Sequence, residues 1–222
     1  KLLNFDMSIF NASTDGKSVN GYINDFNYWF SKIPNFKPEY VIFYIGLNDR
    51  NIVDPFLDYK ISEDKIDQIK DFIKNNSIFV DKFKFLKNRY FPRNTSAYDF
   101  NNAKLYKDFK YVDYKKATIL HKNLDKKDLE FIDVFRNKLD KLKSIIEKKN
   151  FKPIFITQIK FDGLKDKKLF LVNNELKKYS ERNNYFIIPL DEILNMQIND
   201  FYDTVHTTPQ GSQRIADAIF PL

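Results

Sequence analysis

Residues 41–49, Val-Ile-Phe-Tyr-Ile-Gly-Leu-Asn-Asp, join five consecutive apolar or aromatic side chains to a turn-forming sequence. An uninterrupted apolar run of this length predicts a strand buried on both faces of a parallel sheet. Short strands are also predicted at 5–10, 154–157 and 186–189. Open α/β sheets place their sites at the carboxyl ends of strands, so the residues that follow each strand are the first candidates for function.

Helical periodicity occupies the segments between the predicted strands. Apolar residues from Leu129 to Ile146 recur at spacings of three and four, and we expect Asp128 to cap this helix. Further helices are predicted at 19–30, 168–182 and 210–219. The alternation of strands and helices predicts a doubly wound α/β domain with a mostly parallel sheet.

One segment, 51–127, interrupts this alternation and is predicted to be a helical insertion within a single domain, 1–222. It contains 17 Lys/Arg and 11 Asp/Glu and so carries most of the formal net charge of +7. Lysine, Asn, Ile, Phe and Tyr are all abundant, which indicates a compositional bias rather than a nucleic-acid-binding surface. The eleven aromatic residues in 79–114 predict internal packing, a cap over an active site, a contact with a membrane surface or a partner-binding face.

The residue types that are rare in this chain exclude several kinds of site. Cysteine is absent, which excludes disulfides and thiolate metal ligands. The two histidines, His121 and His206, are far apart and lack paired carboxylates, so neither a metal nor a cofactor is predicted. We expect His121 to be a surface residue of the lysine-rich segment. There is no apolar run of membrane-spanning length, and the sequence assigns neither a compartment nor an oligomeric state.

Residues suited to binding or catalysis follow three of the predicted strands. Gly16, in a turn-rich loop before a helix, permits a backbone N–H to approach a ligand closely, although a plain turn would look the same. Asn48 follows the second strand and is suited either to an Asx turn or to donating its amide to an oxyanion. Asp203 and His206 are three positions apart and precede a helix that begins near Pro209, so the acid can orient the base.

Taken together, these blocks resemble the SGNH (GDSL-like) hydrolase family. The similarity lies in Asn11-Ala12-Ser13 with Gly16, in Gly46-Leu47-Asn48-Asp49, and in Asp203-Thr204-Val205-His206 leading into Pro209 and Gly211. The resemblance implies a flavodoxin-like three-layer α/β/α sandwich and ester hydrolysis or acyl transfer by a serine nucleophile. It implies oxyanion donors at Gly16 and Asn48, a general base at His206, and Asp203 as the residue that fixes its tautomer. A small ester, a lipid ester or a glycan O-acetyl ester would be the substrate.

The nucleophile of that family lies in a Gly-Asp-Ser motif, which does not occur in these 222 residues. We therefore expect an N-terminally truncated chain, with the serine upstream of Lys1 and no activity in the chain as it stands. Ser8, Ser13 and Ser18 are the serines near the relevant region, and the last two border the glycine block. Two alternatives remain open: a glycan O-acetyltransferase that uses the same residues, and a non-catalytic binding or scaffold protein.

Overall fold

A computed structural model of the chain describes residues 10–12, 16–51 and 110–219. The predicted strand at 5–10, apart from its last residue, lies outside the described residues. So does most of the predicted 51–127 insertion and of its aromatic-rich part. The division of the chain into one domain with an insertion therefore stays a prediction.

Three parallel strands form the sheet of the described residues, in the order β1, β2, β3. They are β1 (Tyr40–Ile45), β2 (Lys152–Thr157) and β3 (Phe186–Ile188). β1 pairs with β2 from Tyr40–Lys152 to Ile45–Thr157, and Ile154 of β2 lies opposite Phe186 of β3. The sheet confirms three of the predicted strands, and pairing extends β1 by one residue and β2 by two residues beyond their predicted starts. The prediction that β1 is buried on both faces was wrong: Phe43 and Ile45 are buried, whereas Ile42 on the other face is 60% exposed.

Helices connect and flank these strands. They are α1 (Val19–Tyr28), α2 (Tyr114–Leu120), α3 (Lys126–Lys149), α4 (Lys167–Arg182), α5 (Leu190–Ile193) and α6 (Pro209–Ile219). Short 3₁₀ turns occur at Phe30–Lys32, Asp49–Asn51 and Ile198–Asp200. The helices predicted near 19–30, 168–182 and 210–219 are confirmed, with ends that differ by one or two residues.

The long helix α3 begins earlier than Asp128, and its cap is a different residue. Asp125 is the N-cap, and its Oδ1 accepts the Asp128 N–H at 2.9 Å. Asp128 in turn accepts the Asp125 N–H at 2.9 Å through Oδ2, which completes a capping box. The predicted cap at Asp128 was thus wrong: an acid three positions upstream takes that place, and Asp128 satisfies the N-cap N–H from inside the first turn.

Two hydrophobic clusters lie on opposite faces of the sheet, because side chains alternate along each strand. Phe43, Ile45 and Phe155 belong to the larger cluster, with residues of α1, α3 and α4. Ile156 and Ile188 belong to the other, with residues of α5, α6 and the segment between them, among them Leu190, Met196, Phe201 and Ile215. This arrangement confirms an α/β fold with a parallel sheet. The complete flavodoxin-like strand order stays a prediction.

His121 is buried, contrary to the prediction that it is a surface residue. It follows α2 and is 8% exposed, with Nε2 3.0 Å from the Leu164 carbonyl oxygen. Its ring centroid lies 5.2 Å from that of Phe170 in α4. The lysines around it are exposed, whereas Ala117 and His121 share the side of α2 that packs inward.

In the described part of the chain, no helix is long and apolar enough to cross a membrane.

Candidate active site

A short loop between the 3₁₀ turn Ile198–Asp200 and α6 carries the predicted acid and base. Phe201 and Thr207 form an antiparallel bridge that closes the loop at its base. The Tyr202 N–H donates to the His206 carbonyl oxygen at 2.8 Å, one step further into the loop. These contacts are between residues close in sequence, so the loop has a defined shape of its own.

The two carboxylate oxygens of Asp203 have separate partners. Oδ1 accepts the backbone N–H groups of Val205 and His206, both at 2.8 Å. Oδ2 lies 2.8 Å from Nδ1 of the His206 ring. Because an ionised carboxylate can only accept, this contact places a proton on Nδ1 and leaves the Nε2 lone pair of the neutral ring available. The imidazole is 56% exposed, and Nε2 has no hydrogen-bond partner among the described residues.

The same contacts keep Asp203 ionised. Partial burial opposes the charged form, but the hydrogen bonds from the His206 ring and from the backbone N–H groups of His206 and Val205 outweigh it. As a result the pKa of the Asp203 carboxyl lies below its ordinary value of 3.8. At neutral pH the carboxylate is therefore available to orient the imidazole.

The loop is anchored to the start of α6 by a buried aspartate and a glycine. Asp200 is fully buried, and its Oδ2 accepts from Arg214 Nη1 and from the Gln197 N–H, each at 2.6 Å. The Asp200 carbonyl oxygen accepts the Thr208 N–H at 2.8 Å. A Cβ at Gly211 would lie 2.1 Å from that same oxygen. Glycine is therefore required at this position, because the first turn of α6 packs directly on the backbone that leads into the loop.

The two predicted oxyanion donors lie on adjoining loops. Asn48 is exposed and donates through Nδ2 to the Lys17 carbonyl oxygen at 3.1 Å, next to Gly16. Asp49 is 1% exposed, and its Oδ1 accepts the Val19 N–H at 3.0 Å at the start of α1. Gly16 is exposed and has φ of +78°, a backbone conformation that favours glycine. The structure thus joins the glycine block to the block that follows β1.

The segment that follows β2 contacts both the loop that carries Asn48 and the loop that carries Asp203 and His206. The Leu47 N–H donates to Gln158 Oε1 at 2.5 Å, and the Phe161 N–H donates to the Thr204 carbonyl oxygen at 3.2 Å. Sequence reasoning did not identify Gln158, because a lone glutamine after a strand carries no recognisable pattern. Its importance becomes visible only through partners that are distant in sequence.

Of the three serines considered as nucleophiles, the structure describes Ser18 alone. Ser18 directly precedes α1 and is 4% exposed, so its hydroxyl is closed to a substrate arriving from solvent. Ser8 and Ser13 lie outside the described residues. Within the described ranges no group of three or more His, Asp or Glu side chains is arranged to hold a metal ion.

Comparison with known proteins agrees with these motifs. The family model described as GDSL-like lipase/acylhydrolase matches residues 2–219. Neither the curated proteins nor the solved structures gave a significant match. The family match spans nearly the whole chain, including the glycine, Gly-Leu-Asn-Asp and Asp-Thr-Val-His blocks, and it supports an ester-acting hydrolase in general. The chain belongs to the GDSL-like lipase/acylhydrolase, or SGNH, family.

Proposed function

We propose that this protein is a serine-type acyl hydrolase in which His206 is the general base and Asp203 fixes the tautomer of its ring. The observation that carries the proposal is that the two carboxylate oxygens of Asp203 have different hydrogen-bond partners. One oxygen shapes the loop through two backbone N–H groups, and the other holds Nδ1 at 2.8 Å. An imidazole held in this way, in a side chain that is 56% exposed, keeps the Nε2 lone pair for the proton of a nucleophilic hydroxyl.

The first chemical step follows from that geometry. A serine hydroxyl transfers its proton to Nε2 of His206 while its oxygen attacks the acyl carbon of the ester. The imidazolium that forms is stabilised by the ionised Asp203. His206 then returns the proton to the leaving alcohol, and a water molecule activated by the same nitrogen hydrolyses the acyl-enzyme.

The negative charge that develops on the ester oxygen requires preorganised donors. Asn48 is suited to this role because its amide has two N–H bonds, one of which donates to the Lys17 carbonyl oxygen at 3.1 Å. That bond fixes the side chain, and the second N–H is left to stabilise the oxyanion. The Gly16 N–H is the second proposed donor. Its positive φ suits a loop whose backbone turns toward a ligand.

A fluorophosphonate probe tests the proposal, since it reacts covalently with an activated serine. We expect the protein, as its gene encodes it, to be labelled on one serine that peptide mapping identifies. His206→Ala should abolish labelling, because without the base the hydroxyl is a weak nucleophile. His121→Ala is the matched control: it alters a buried histidine that contacts Leu164 and Phe170, and it should leave labelling intact where the variant remains folded.

The outcomes separate the remaining classes of protein. Labelling together with hydrolysis of p-nitrophenyl acetate supports the hydrolase. Labelling with acyl transfer that depends on an added sugar indicates the glycan O-acetyltransferase instead. Absence of labelling in the folded wild-type protein would contradict the catalytic proposal and indicate a binding or scaffold protein.

A further inference from the structure

The side chain of Gln158 connects the end of β1 to the end of β2. Gln158 follows the last residue of β2 and is 8% exposed. Its Oε1 accepts the Leu47 N–H at 2.5 Å, and its Nε2 donates to the Tyr44 carbonyl oxygen at 3.2 Å. One amide group therefore binds the backbone on both sides of Gly46, directly before Asn48.

A second buried amide holds Gln158 in place. Asn173 of α4 is fully buried, and its Nδ2 donates to the Gln158 carbonyl oxygen at 2.7 Å. Its Oδ1 accepts the Gln158 N–H at 3.4 Å. A Cβ at Gly46 would lie 2.9 Å from Gln158 Cβ and 3.2 Å from Asn173 Oδ1. The Gly46 backbone is thus packed directly against this pair of amides.

We propose that Gln158 is a positioning residue that fixes the Gly46–Asn48 loop and thereby the orientation of the Asn48 amide. The inference rests on the proposed function, in which Asn48 stabilises the oxyanion. Gln158 does not touch the substrate; it acts through the backbone of Leu47, the residue adjacent to Asn48. Leu47 is only partly buried, so an N–H that loses this acceptor must pair with another group or with water, and the loop moves to allow it.

The bond to Leu47 is the critical one of the two that the Gln158 side chain makes. The Tyr44 carbonyl oxygen also accepts the Tyr22 hydroxyl at 3.2 Å, so it retains a partner when Gln158 is changed. For the Leu47 N–H, the structure shows Gln158 Oε1 as the acceptor. A substitution that keeps an acceptor at this position should therefore preserve much of the effect of Gln158.

Two variants separate these roles. Gln158→Met fills a similar volume without any hydrogen bond, and we expect kcat for p-nitrophenyl acetate to fall on the order of tenfold to a hundredfold with little change in KM. Gln158→Glu keeps an acceptor for Leu47 and should retain more activity. Its kcat, taken relative to wild type at each pH, should rise as the pH falls. A protonated carboxyl offers one donor and one acceptor, as the amide does, whereas the ionised form repels the Tyr44 oxygen.

Asn183→Leu is the matched control. Asn183 is the C-cap of α4, and its Nδ2 donates to the Tyr179 carbonyl oxygen at 2.8 Å, a similar amide-to-carbonyl bond that involves neither loop of the site. We expect this variant to lose stability without losing kcat. Equal kcat in wild type and in folded Gln158→Met, or a relative kcat of Gln158→Glu that does not change with pH, would overturn the inference.

Hydrogen exchange provides a readout that does not depend on activity. The Leu47 amide should exchange at least tenfold faster in Gln158→Met than in wild type, whereas Asn183→Leu should leave its exchange rate unchanged. If the wild-type protein hydrolyses no ester, the proposed function fails, and exchange still tests whether Gln158 holds the loop. Unaltered protection of Leu47 in Gln158→Met would refute the positioning role whatever the activity.

Discussion

Asp203→Asn should separate the structural role of Asp203 from its role in catalysis. Asparagine has one acceptor oxygen and one NH₂ group. The two backbone N–H groups at 2.8 Å require the oxygen, so the NH₂ group must face Nδ1 of His206. A donor in this place selects the tautomer with the proton on Nε2. That nitrogen then has no free lone pair with which to accept a proton from a nucleophile.

The contacts of Asp203 set the expected magnitudes. The substitution keeps the three hydrogen bonds but reverses the one to Nδ1 and removes the carboxylate charge, and that bond joins side chains that are 40% and 56% exposed. We expect it to lower the free energy of unfolding by less than about 1 kcal/mol, because a polar contact between exposed side chains contributes little. In a serine protease triad the same exchange of Asp for Asn lowers kcat on the order of ten-thousandfold. A loss of at least a thousandfold in kcat is expected here.

Asp203→Ala provides the comparison, because it removes all three bonds and the turn that Oδ1 stabilises. It should cost roughly 1–3 kcal/mol of stability and also abolish most activity. Asp217→Asn, an exposed aspartate in α6 that accepts from Gln213 at 2.7 Å, is the matched control and should change neither property.

The assay combines ester hydrolysis and thermal unfolding with ¹⁵N NMR of the His206 ring. The ring spectrum should show the proton on Nδ1 in wild type and on Nε2 in Asp203→Asn, a change that can be observed even without a substrate. The reasoning is wrong if Asp203→Asn keeps its activity within tenfold of wild type, or if the tautomer does not change.

Three further predictions concern other parts of the site. Asn48→Ala should lower kcat on the order of a hundredfold to a thousandfold while thermal unfolding is nearly unchanged. If this variant hydrolyses p-nitrophenyl acetate at the wild-type rate, Asn48 is not an oxyanion donor. Gly211→Ala should cost roughly 1–3 kcal/mol, because the new Cβ would lie 2.1 Å from the Asp200 carbonyl oxygen. Calorimetry of this variant beside the exposed Gln210→Ala checks the prediction, and equal melting temperatures would refute it. The pKa of Asp203 is lowered by folding, so its stabilising effect is fully present above pH 3.8 and is lost as the pH falls through the lower folded value. A ¹³C titration of the carboxyl should have its midpoint below 3.8, and a midpoint at or above that value would show that the hydrogen bonds do not stabilise the charged form.

Local sequence patterns predicted the strands and most helices because those elements are encoded locally. The apolar run 41–45 is buried at Phe43 and Ile45 and forms β1, and the three–four spacing from Leu129 to Ile146 forms α3. The exact start of α3 was missed because two aspartates three positions apart are both plausible caps. Only the reciprocal hydrogen bonds of the capping box show which of the two aspartates is the N-cap.

The site was predictable to the extent that its contacts are short-range. Asp203 and His206 lie three positions apart, and their contact follows the spacing in the sequence. Gln158 and Asn173 were not predicted because their roles depend on partners far along the chain; Leu47 is 111 positions from Gln158. The burial of His121 was missed for a similar reason: its partners Leu164 and Phe170 belong to a later part of the chain.

The closed loop from Phe201 to Thr207 has a consequence for the order of folding. The bridge and the hydrogen bonds within the loop join residues at most six positions apart, and loops of this length close in roughly 10–100 ns. The bond between Leu47 and Gln158 must instead bring together distant segments, which carries a large entropic cost. We therefore expect a refolding chain to form the acid–base pair early and the link between Gln158 and the Asn48 loop late, so that recovery of esterase activity lags behind recovery of the His206 ring signal.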